Sequence, residues 1–419
     1  MINEESIAAV DGSRWDAQFV KPLYGSYCFS RIPPLIESLF GHGDGDIQRE
    51  LIAPLAGRYQ KVILLFIDGY GWQFVQDTLD RYPFLRRFAE EGVVTKLTSQ
   101  FPSTTSVHVT TIHTGLHVGQ SGIYEWFMYE PSLQGIITTL PFSWGGELDP
   151  GTLIKAGVRP ESIFPTQSVH ARLASRGIRS RVWGSKEFTP SPVTTALTSG
   201  AQIHPFGTLR GGLQEMAEAI RRDDGPGYYY LYAGNIDAAG HRSGPNSSDW
   251  IMEANATFRA LEEMLVPALR GRDDTLLLMT ADHGQIAGDP EATILVNRLC
   301  PELGEWFQRT ESGNRILPSG NYRDMVLHIE EEHLDDAVSG LTDRLEGRAR
   351  VVPVEELMDL GFFGAVTERL RRRIGNLMIL PLGEELVWWE GYGMPRFHGY
   401  HGGLSPHEME TELLAWSSA

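Results

Sequence analysis

The sequence predicts an α/β protein with a mostly parallel sheet and helices on both of its faces. Short apolar runs that are typical of buried strands occur at 61–67, 227–233 and 275–280. Each has the length of a strand, and none shows the alternation expected of a half-exposed one. Stretches with helical spacing lie between these runs, and strands that alternate with helices indicate a parallel sheet covered on both sides.

The chain has 419 residues, which fits one large domain with insertions or two domains. We expect an irregular leader packed on the core at 1–60 and a core formed by 61–300 and 376–419. Residues 301–375 are strongly charged and alternate strand-like and helix-like patterns. They predict a small α/β cap inserted into the core.

The individual elements follow from periodicity and from the glycines that end the helices, such as Gly92 and Gly177. Residues 127–160 are rich in Gly, Pro and Trp without a clear period, and we expect them to form an excursion at the rim of the site. The other predicted helices are 84–91, 168–176, 213–222, 250–269 and 334–345, and the other predicted strands are 93–97, 178–183, 325–329, 349–352, 377–380 and 386–389.

Charge and cysteine content exclude several classes of function. The formal net charge is −18, from 36 Lys and Arg against 54 Asp and Glu. Such a surface repels nucleic-acid polymers and anionic membranes, whereas a small anionic substrate can bind where a metal supplies positive charge. Cys28 and Cys300 are the only cysteines, so neither a disulfide framework nor a thiolate metal site is expected.

The N-terminus lacks the basic and apolar regions of a signal peptide, and no apolar stretch approaches the length of a membrane span. These observations predict a cytoplasmic protein that does not associate with membranes. They leave the oligomeric state open.

Asp68 directly follows the first apolar run, 61–67. A carboxylate inside a buried strand would need a partner, so we expect Asp68 at the carboxyl end of the strand, where an open α/β sheet binds its ligands. Gly69 and Gly71 would allow the chain to turn sharply there. The alternative is an aspartate that merely caps the following helix.

Further candidate residues lie in four other stretches. Phe101–His108 is a hydroxyl-rich turn before a helical run, where free N–H groups favour an alkoxide or a bound anion, although Ser and Thr are also good N-caps. The remaining candidates follow two other apolar runs or lie in a late glycine-rich turn: Asp237, His241, Asp282, His283 and His401. Three aspartates at one edge of a sheet repel one another unless cations lie among them. Three Asp and three His are enough for two divalent ions.

The order of these residues resembles the alkaline phosphatase superfamily, and within it the type I phosphodiesterases and nucleotide pyrophosphatases. The resemblance covers roughly residues 60–125, 165–300 and 375–416 and leaves the leader and the cap outside. It implies an alkaline-phosphatase-like fold and two divalent metal ions, most often zinc, with manganese as the alternative.

The resemblance also implies a role for each candidate. The family nucleophile lies in a Pro-Ser-x-Thr motif ten residues before the Gly of a Thr-Gly turn. Pro102–Thr105 and Gly115 fit this spacing, which selects Thr105. One ion would be held by Asp237, His241 and His401. The other would be held by Asp68, Thr105, Asp282 and His283.

The chain departs from the family at two positions. Nucleotide-cleaving members often carry an aromatic residue after the nucleophile and an Asn that holds a phosphate oxygen; here these positions are Ser106 and Trp126. Both departures put nucleotide specificity in question. We take Trp126, Glu125 and Tyr70 as candidates for substrate binding.

No Arg or Lys lies between Lys96 and Lys155, close behind the nucleophile, so a doubly charged monoester would depend mainly on metals. The sequence therefore favours a two-metal hydrolase of a small phosphorylated substrate, acting on phosphodiester or pyrophosphate bonds through a phosphothreonine intermediate. The alternatives are a phosphomonoesterase or phosphonate hydrolase on the same site, and a metal-stabilised binding protein without turnover.

Overall fold

A seven-stranded sheet forms the centre of the protein. The structure is a computed structural model that describes residues 1–147, 149–391 and 396–418. Its strands, labelled in chain order, are β1 (Lys61–Ile67), β2 (Val93–Thr98), β3 (Phe127–Glu130), β4 (Gly135–Thr138), β5 (Ser143–Trp144), β6 (Arg179–Ser185), β7 (Ala201–Phe206), β8 (Gly227–Ala233), β9 (Thr275–Thr280), β10 (Ile286–Ala287), β11 (Ile294–Leu295), β12 (Met325–Leu327), β13 (Ala349–Pro353), β14 (Leu377–Pro381), β15 (Val387–Trp388), β16 (Gly399–Tyr400) and β17 (Glu410–Trp416).

The helices surround this sheet and the smaller ones. They are α1 (Glu4–Asp11), α2 (Ile32–Leu39), α3 (Asp46–Ile52), α4 (Trp72–Thr78), α5 (Pro83–Glu91), α6 (Thr105–Thr114), α7 (Val118–Ser121), α8 (Thr152–Lys155), α9 (Pro160–Ile163), α10 (Val169–Ala174), α11 (Pro192–Leu197), α12 (Leu209–Arg222), α13 (Asn235–Ser243), α14 (Ser248–Ala260), α15 (Val266–Leu269), α16 (Val296–Leu299), α17 (Leu334–Arg344), α18 (Val354–Asp359), α19 (Glu368–Arg371) and α20 (Pro406–Met409). Short 3₁₀ turns lie at Phe29–Arg31, Pro131–Leu133, Pro290–Ala292, Pro301–Trp306 and Glu331–His333.

The central sheet has the strand order β2-β17-β9-β1-β8-β6-β7. Strand β17 is antiparallel to both of its neighbours, and the other six strands run the same way. The sequence prediction of a mostly parallel sheet is therefore confirmed. Because β9, β1 and β8 are adjacent, their carboxyl ends meet at one edge of the sheet.

Strand β1 shows why the apolar runs form a sheet that is covered on both faces. Ile63, Leu65 and Ile67 pack into one apolar cluster with helices α4, α5, α12 and α14. The alternate residues Val62, Leu64 and Phe66 pack into another with α2, α3, α6 and α10. Successive side chains of a strand point to opposite faces, so a strand with helices on both sides must be apolar at every position.

Two elements differ from the sequence prediction. Ser405 and Pro406 have the pattern of an N-cap followed by a first helical residue, and α20 does begin there, but it ends after one turn. The chain then continues as β17, which fills the place between β2 and β9 and is buried along its whole length. The helix predicted at 250–269 is interrupted by a π-helical segment at Leu261–Leu265.

The leader is more regular than the sequence predicts. It contains α1, α2 and α3, and apolar side chains of α2 such as Leu35 and Ile36 are fully buried against the core. Ile2 also forms a bridge with Val94 of β2. Short amphipathic helices separated by Gly and Pro do not give a long period, which is why this pattern is difficult to recognise in sequence.

The insertion forms a small α/β unit. Its sheet has the order β12-β14-β13, with antiparallel pairing, and α17 packs on β13. Strand β14 (Leu377–Pro381) was assigned to the core, but it is the central strand of this small sheet. The unit thus continues past residue 375, the predicted end of the cap.

A buried salt bridge joins the small unit to the core. The Arg323 guanidinium donates to both carboxylate oxygens of Glu408, at 3.0 and 2.9 Å, and also to the Glu385 carbonyl. Both side chains of the pair are fully buried. Glu408 in turn accepts from the backbone N–H of Gly403, so the pair holds the turn that follows His401.

Within the described residues, no helix combines the length and apolarity that a bilayer span requires. The cytoplasmic location stays a prediction.

We expect Arg323→Leu to destabilise the protein by about 3–5 kcal/mol, because it leaves the Glu408 carboxylate buried without its charge partner. The control is Arg348→Leu, which breaks the pair with Glu385, a pair whose side chains are 47% and 32% exposed. Exposed pairs contribute about 0–1 kcal/mol. Urea unfolding followed by fluorescence compares the two variants, and equal losses of stability would contradict the argument.

Candidate active site

Three aspartates meet at the carboxyl edge of the central sheet. Asp68 follows β1 directly, Asp282 follows β9 by one residue, and Asp237 lies on the first turn of α13 beyond β8. Their exposures are 2%, 0% and 8%. Each of the three apolar strands is therefore followed by one buried aspartate, and the three aspartates lie together at this edge.

Gly69 makes this convergence possible. Its φ of +68° lies in the left-handed region that favours glycine. A Cβ on Gly69 would also lie 2.9 Å from Asp237 Oδ1. The turn after β1 thus requires glycine for its conformation and for the close approach of α13.

The three predicted histidines share one hydrogen-bonding arrangement. In His241, His283 and His401, Nδ1 donates to a backbone carbonyl, which can only accept. The acceptors are the carbonyl oxygens of Gly399 (2.8 Å), Gly284 (3.0 Å) and Ser103 (3.0 Å), respectively. In the neutral ring Nδ1 therefore carries the proton and Nε2 keeps a free lone pair, which is the arrangement of a metal-ligating histidine.

These Nε2 atoms face the aspartates. His241 Nε2 lies 3.2 Å from Asp237 Oδ2, and His283 Nε2 lies 3.2 Å from Asp282 Oδ2 and 3.6 Å from Asp68 Oδ1. His401 Nε2 is 4.0 Å from Asp237 Oδ1. The His283 and His401 rings stack, with centroids 3.6 Å apart.

At this edge of the sheet, two groups of three donors have the spacing of a metal site. Asp68, Asp282 and His283 form one group, and Asp237, His283 and His401 form the other, with ligand atoms within 4.8 Å of one another in each. The sequence resemblance places His283 only in the group of Asp68, Thr105 and Asp282, whereas the geometry puts it between both groups. His241 completes the second group through its contact with Asp237.

The electrostatics of the cluster fit divalent cations. Burial and the charges of Asp282 and Asp237 raise the pKa of Asp68 well above its usual value. Burial alone would raise the pKa of Asp237 too, but the charge and hydrogen bond of a protonated His241, together with the charges of His401 and His283, lower this pKa to about 2. Asp282 Oδ2 is buried and makes no hydrogen bond to any described residue. Three buried carboxylates beside three imidazoles, with Asp282 Oδ2 left without a hydrogen bond, match the ligand set of zinc or manganese.

Thr105 begins α6 beside these donors. Its hydroxyl lies 3.3 Å from His283 Nε2 and 3.5 Å from Asp68 Oδ1. The preceding N-cap residue, Thr104, makes no capping hydrogen bond with its side chain. The N–H groups of the first turn of α6 are therefore available to an anionic oxygen placed near Thr105.

Glu125 lies behind this turn rather than on its surface. Its side chain is fully buried, accepts from Asn321 Nδ2 at 2.7 Å, and pairs with Thr104. Burial raises the pKa of Glu125 to about 7. Glu125 therefore supports the turn that precedes Thr105 through its bond with Thr104, and its contact with substrate stays a prediction.

The other two substrate-binding candidates differ from each other. Tyr70 is fully buried, stacks on Trp250 and shares a hydrogen bond with Thr78, so it belongs to the core. Trp126 is partly exposed, and its contact with substrate stays a prediction. Ser106 is buried and bonds to Thr139 at 2.8 Å, so the position after Thr105 faces the interior.

No cation of the described chain pairs with the cluster. The ion pairs of Asp68, Asp237 and Asp282 there are all with histidines. Arg323 is committed to Glu408, and Arg396 pairs with Glu291 on the surface. Bound ions would supply the positive charge that no Lys or Arg of the described residues gives these carboxylates.

Three contributors to the site were not predicted. Tyr232 donates to Asp68 Oδ2, Gln285 donates to Asp237, and Asn321 bonds to Glu125. Tyr232 lies on β8, five residues before Asp237, and Gln285 lies two residues after His283. Their closeness in sequence to predicted metal ligands was a usable signal. Asn321 comes from the small unit, and nothing in its local sequence indicates the site.

Comparisons with known proteins agree on the fold. Residues 62–404 match a family model described as type I phosphodiesterase / nucleotide pyrophosphatase. Murine ectonucleotide pyrophosphatase / phosphodiesterase 5, in an inactive threonine-to-alanine variant bound to AMP, superposes with a TM-score of 0.64 at 17% identity, covering 86% of this chain and 88% of that one. The human protein of the same name gives 0.62 at 18% identity, with 86% and 88% covered. The alkaline-phosphatase-like fold implied by the sequence is confirmed.

One curated relative has a different name. Diaminopimelate decarboxylase of Streptomyces coelicolor is 26% identical over 216 residues, which is 51% of this chain. The chain spans about half of that relative's length, 47%. A match of this extent and identity does not indicate a shared family.

Proposed function

Because the chain belongs to the type I phosphodiesterase / nucleotide pyrophosphatase family, we propose that it hydrolyses phosphodiester or pyrophosphate bonds of a small substrate through a phosphothreonine on Thr105. The observation that carries this proposal is the Thr105 hydroxyl, which begins α6 at 3.3 Å from His283 Nε2. The inactive murine relative that carries a threonine-to-alanine change and binds AMP supports both the nucleophile and the substrate class.

Two divalent ions fit the donors around Thr105. One would be held by Asp68, Asp282 and His283 with the Thr105 hydroxyl, and the other by Asp237, His241 and His401, with His283 between the two. Such ions, when bound, lower the pKa of a hydroxyl or a water and offset the charge of the phosphate. Zinc is the expected metal because the donors mix imidazole and carboxylate, and manganese is the alternative.

The residues of the chain carry out the attack on phosphorus and the binding of the phosphoryl oxygen. Thr105 Oγ1 attacks phosphorus, the bond to the leaving oxygen breaks, and the hydroxyl proton leaves with solvent. Water then cleaves the phosphothreonine, so one water is consumed for each bond broken. The open N–H groups of α6 bind the phosphoryl oxygen on which charge develops.

The surroundings of the site favour a diester over a monoester. A monoester dianion carries one more charged oxygen than a diester, and such an oxygen usually binds Arg or Lys. Arg323 of the small unit and Arg396 are both paired elsewhere, with Glu408 and Glu291. The partly exposed indole of Trp126 could instead accept an uncharged ester substituent.

We expect Thr105→Ala to abolish turnover, by about 10³-fold or more, since the covalent route is lost. The fold should survive, because Thr105 is not the capping residue of α6. Single-turnover hydrolysis of bis(p-nitrophenyl) phosphate measures the effect, and Thr104→Ala is the neighbouring control. A variant at Thr105 that keeps near-normal rates while Thr104→Ala does not would show that the nucleophile is misassigned. A wild type without turnover would favour the binding-protein alternative.

The purified protein should contain two divalent ions per chain, and chelation should remove activity that added zinc or manganese restores. Elemental analysis before and after dialysis against chelator measures the metal content. Full activity in a protein free of transition metal would contradict the proposed ligand roles.

Diesters or pyrophosphates should have a higher kcat/KM than monoesters with the same leaving group. The reason is the missing cation for the third phosphoryl oxygen. Matched mono- and bis(p-nitrophenyl) phosphates give the comparison. A monoester preference of tenfold, about 1.4 kcal/mol in transition-state binding, would indicate the phosphomonoesterase alternative. Preferential cleavage of a carbon–phosphorus bond would indicate the phosphonate hydrolase.

A further inference from the structure

Gln285 is a buried amide beside the site, and the proposed chemistry does not use it. It follows Asp282, His283 and Gly284, and it is 3% exposed. Its Nε2 donates to the backbone carbonyl of Asp237 at 3.1 Å and to Asp237 Oδ1. One amide thus holds both the main chain and the side chain of a single predicted ligand.

The orientation of this amide follows from its partners. Both Asp237 oxygens accept, so Nε2 must face them, and Oε1 must point away. Oε1 is buried and makes no hydrogen bond to any described residue. It lies against two glycines: a Cβ on Gly240 would overlap it, and a Cβ on Gly399 would lie 3.3 Å from it.

Gln285 therefore stands where three ligand-bearing segments meet. Gly240 immediately precedes His241 on α13, Gly399 lies two residues before His401, and Gln285 itself belongs to the segment of Asp282 and His283. By holding Oδ1 of Asp237, the amide leaves Oδ2 directed at His241, 3.2 Å away. Without that bond the Asp237 carboxylate can rotate about its Cβ–Cγ bond.

The other group of donors is held in a different way. Asp282 Oδ1 accepts from the backbone N–H groups of Gly69 and His283, at 3.2 and 3.1 Å, and Asp68 Oδ2 accepts from Tyr232. No hydrogen bond of Gln285 among the described residues reaches either carboxylate. Loss of the Gln285 amide should thus affect one cation and spare the other.

We propose that Gln285 is a positioning residue that sets the affinity of the cation held by Asp237, His241 and His401. This inference rests on the two-cation site of the proposed function. Hydrogen-bond partners of metal ligands commonly change metal affinity by about 10- to 100-fold when they are removed.

The test is a titration of metal-free protein with Co²⁺, read from the visible absorbance of the bound ion. Gln285→Met keeps the volume and removes the donor. We expect two binding steps in the wild type, and in the variant one step weakened by about 10- to 100-fold with an altered spectrum. The matched control is Gln308→Met, which removes an amide donor to the Ile329 carbonyl in the small unit.

Gly240→Ala provides an independent variant in which Gln285 is intact. The added methyl group would displace the amide from Asp237, while alanine suits a helix better than glycine. It should weaken the same step as Gln285→Met, and the double variant should lose little more. This variant decides the question if Gln285→Met does not fold.

Three results would overturn the inference. Wild-type affinity and spectrum in both variants would show that the amide does not act on the ion. Equal weakening of both steps, with a lower melting temperature of the metal-free protein than in Gln308→Met, would show a general structural role. A wild type that binds no Co²⁺ would reject the two-cation site itself, and the inference with it.

Discussion

The structure depends on one electrostatic constraint: three carboxylates are buried together at the ends of three adjacent strands. No Lys or Arg among the described residues pairs with them, and the ion pairs that the described residues form with them are with histidines, which carry charge only when protonated. In a buried environment such a group is costly without compensating charge. The three carboxylates lie together at a single edge of the sheet, where the strands end and ligands can reach them.

Hydrogen bonds hold the residues around the carboxylates in place as well as the carboxylates themselves. Backbone carbonyls set the tautomer of all three histidines, so the lone pairs face the cluster before any ion binds. The turn that carries His401 is tied to Ser103 and, through Glu408, to Arg323 of the small unit. The small unit is therefore part of the support of the site, although its own sheet lies outside the core.

The sequence predicted the parts of the site that are local. Asp68 and Asp282 lie at or next to the end of an apolar strand, and the position of such a residue follows from the fold class alone. Tyr70 was misassigned because a strand-end aromatic can turn inward, and here it stacks on Trp250. The contact of Asn321 with Glu125 spans 196 positions in the chain, and no local pattern contains it. Strand β17 was missed for a similar reason, since its place between β2 and β9 is set by tertiary pairing.

Charge also determines the order in which cations and substrate would bind in the proposed function. The chain carries a formal net charge of −18, and the site itself is a cluster of carboxylates. An anionic phosphate ester approaching this edge without cations would meet repulsion from both the surface and the site. The open N–H groups of α6 offer only partial positive charge, which is too little to offset several carboxylates. Under the proposed function, cations would therefore occupy the site before substrate, and the hydrogen bonds that hold Asp237 and the histidines in place would act on catalysis through that first step.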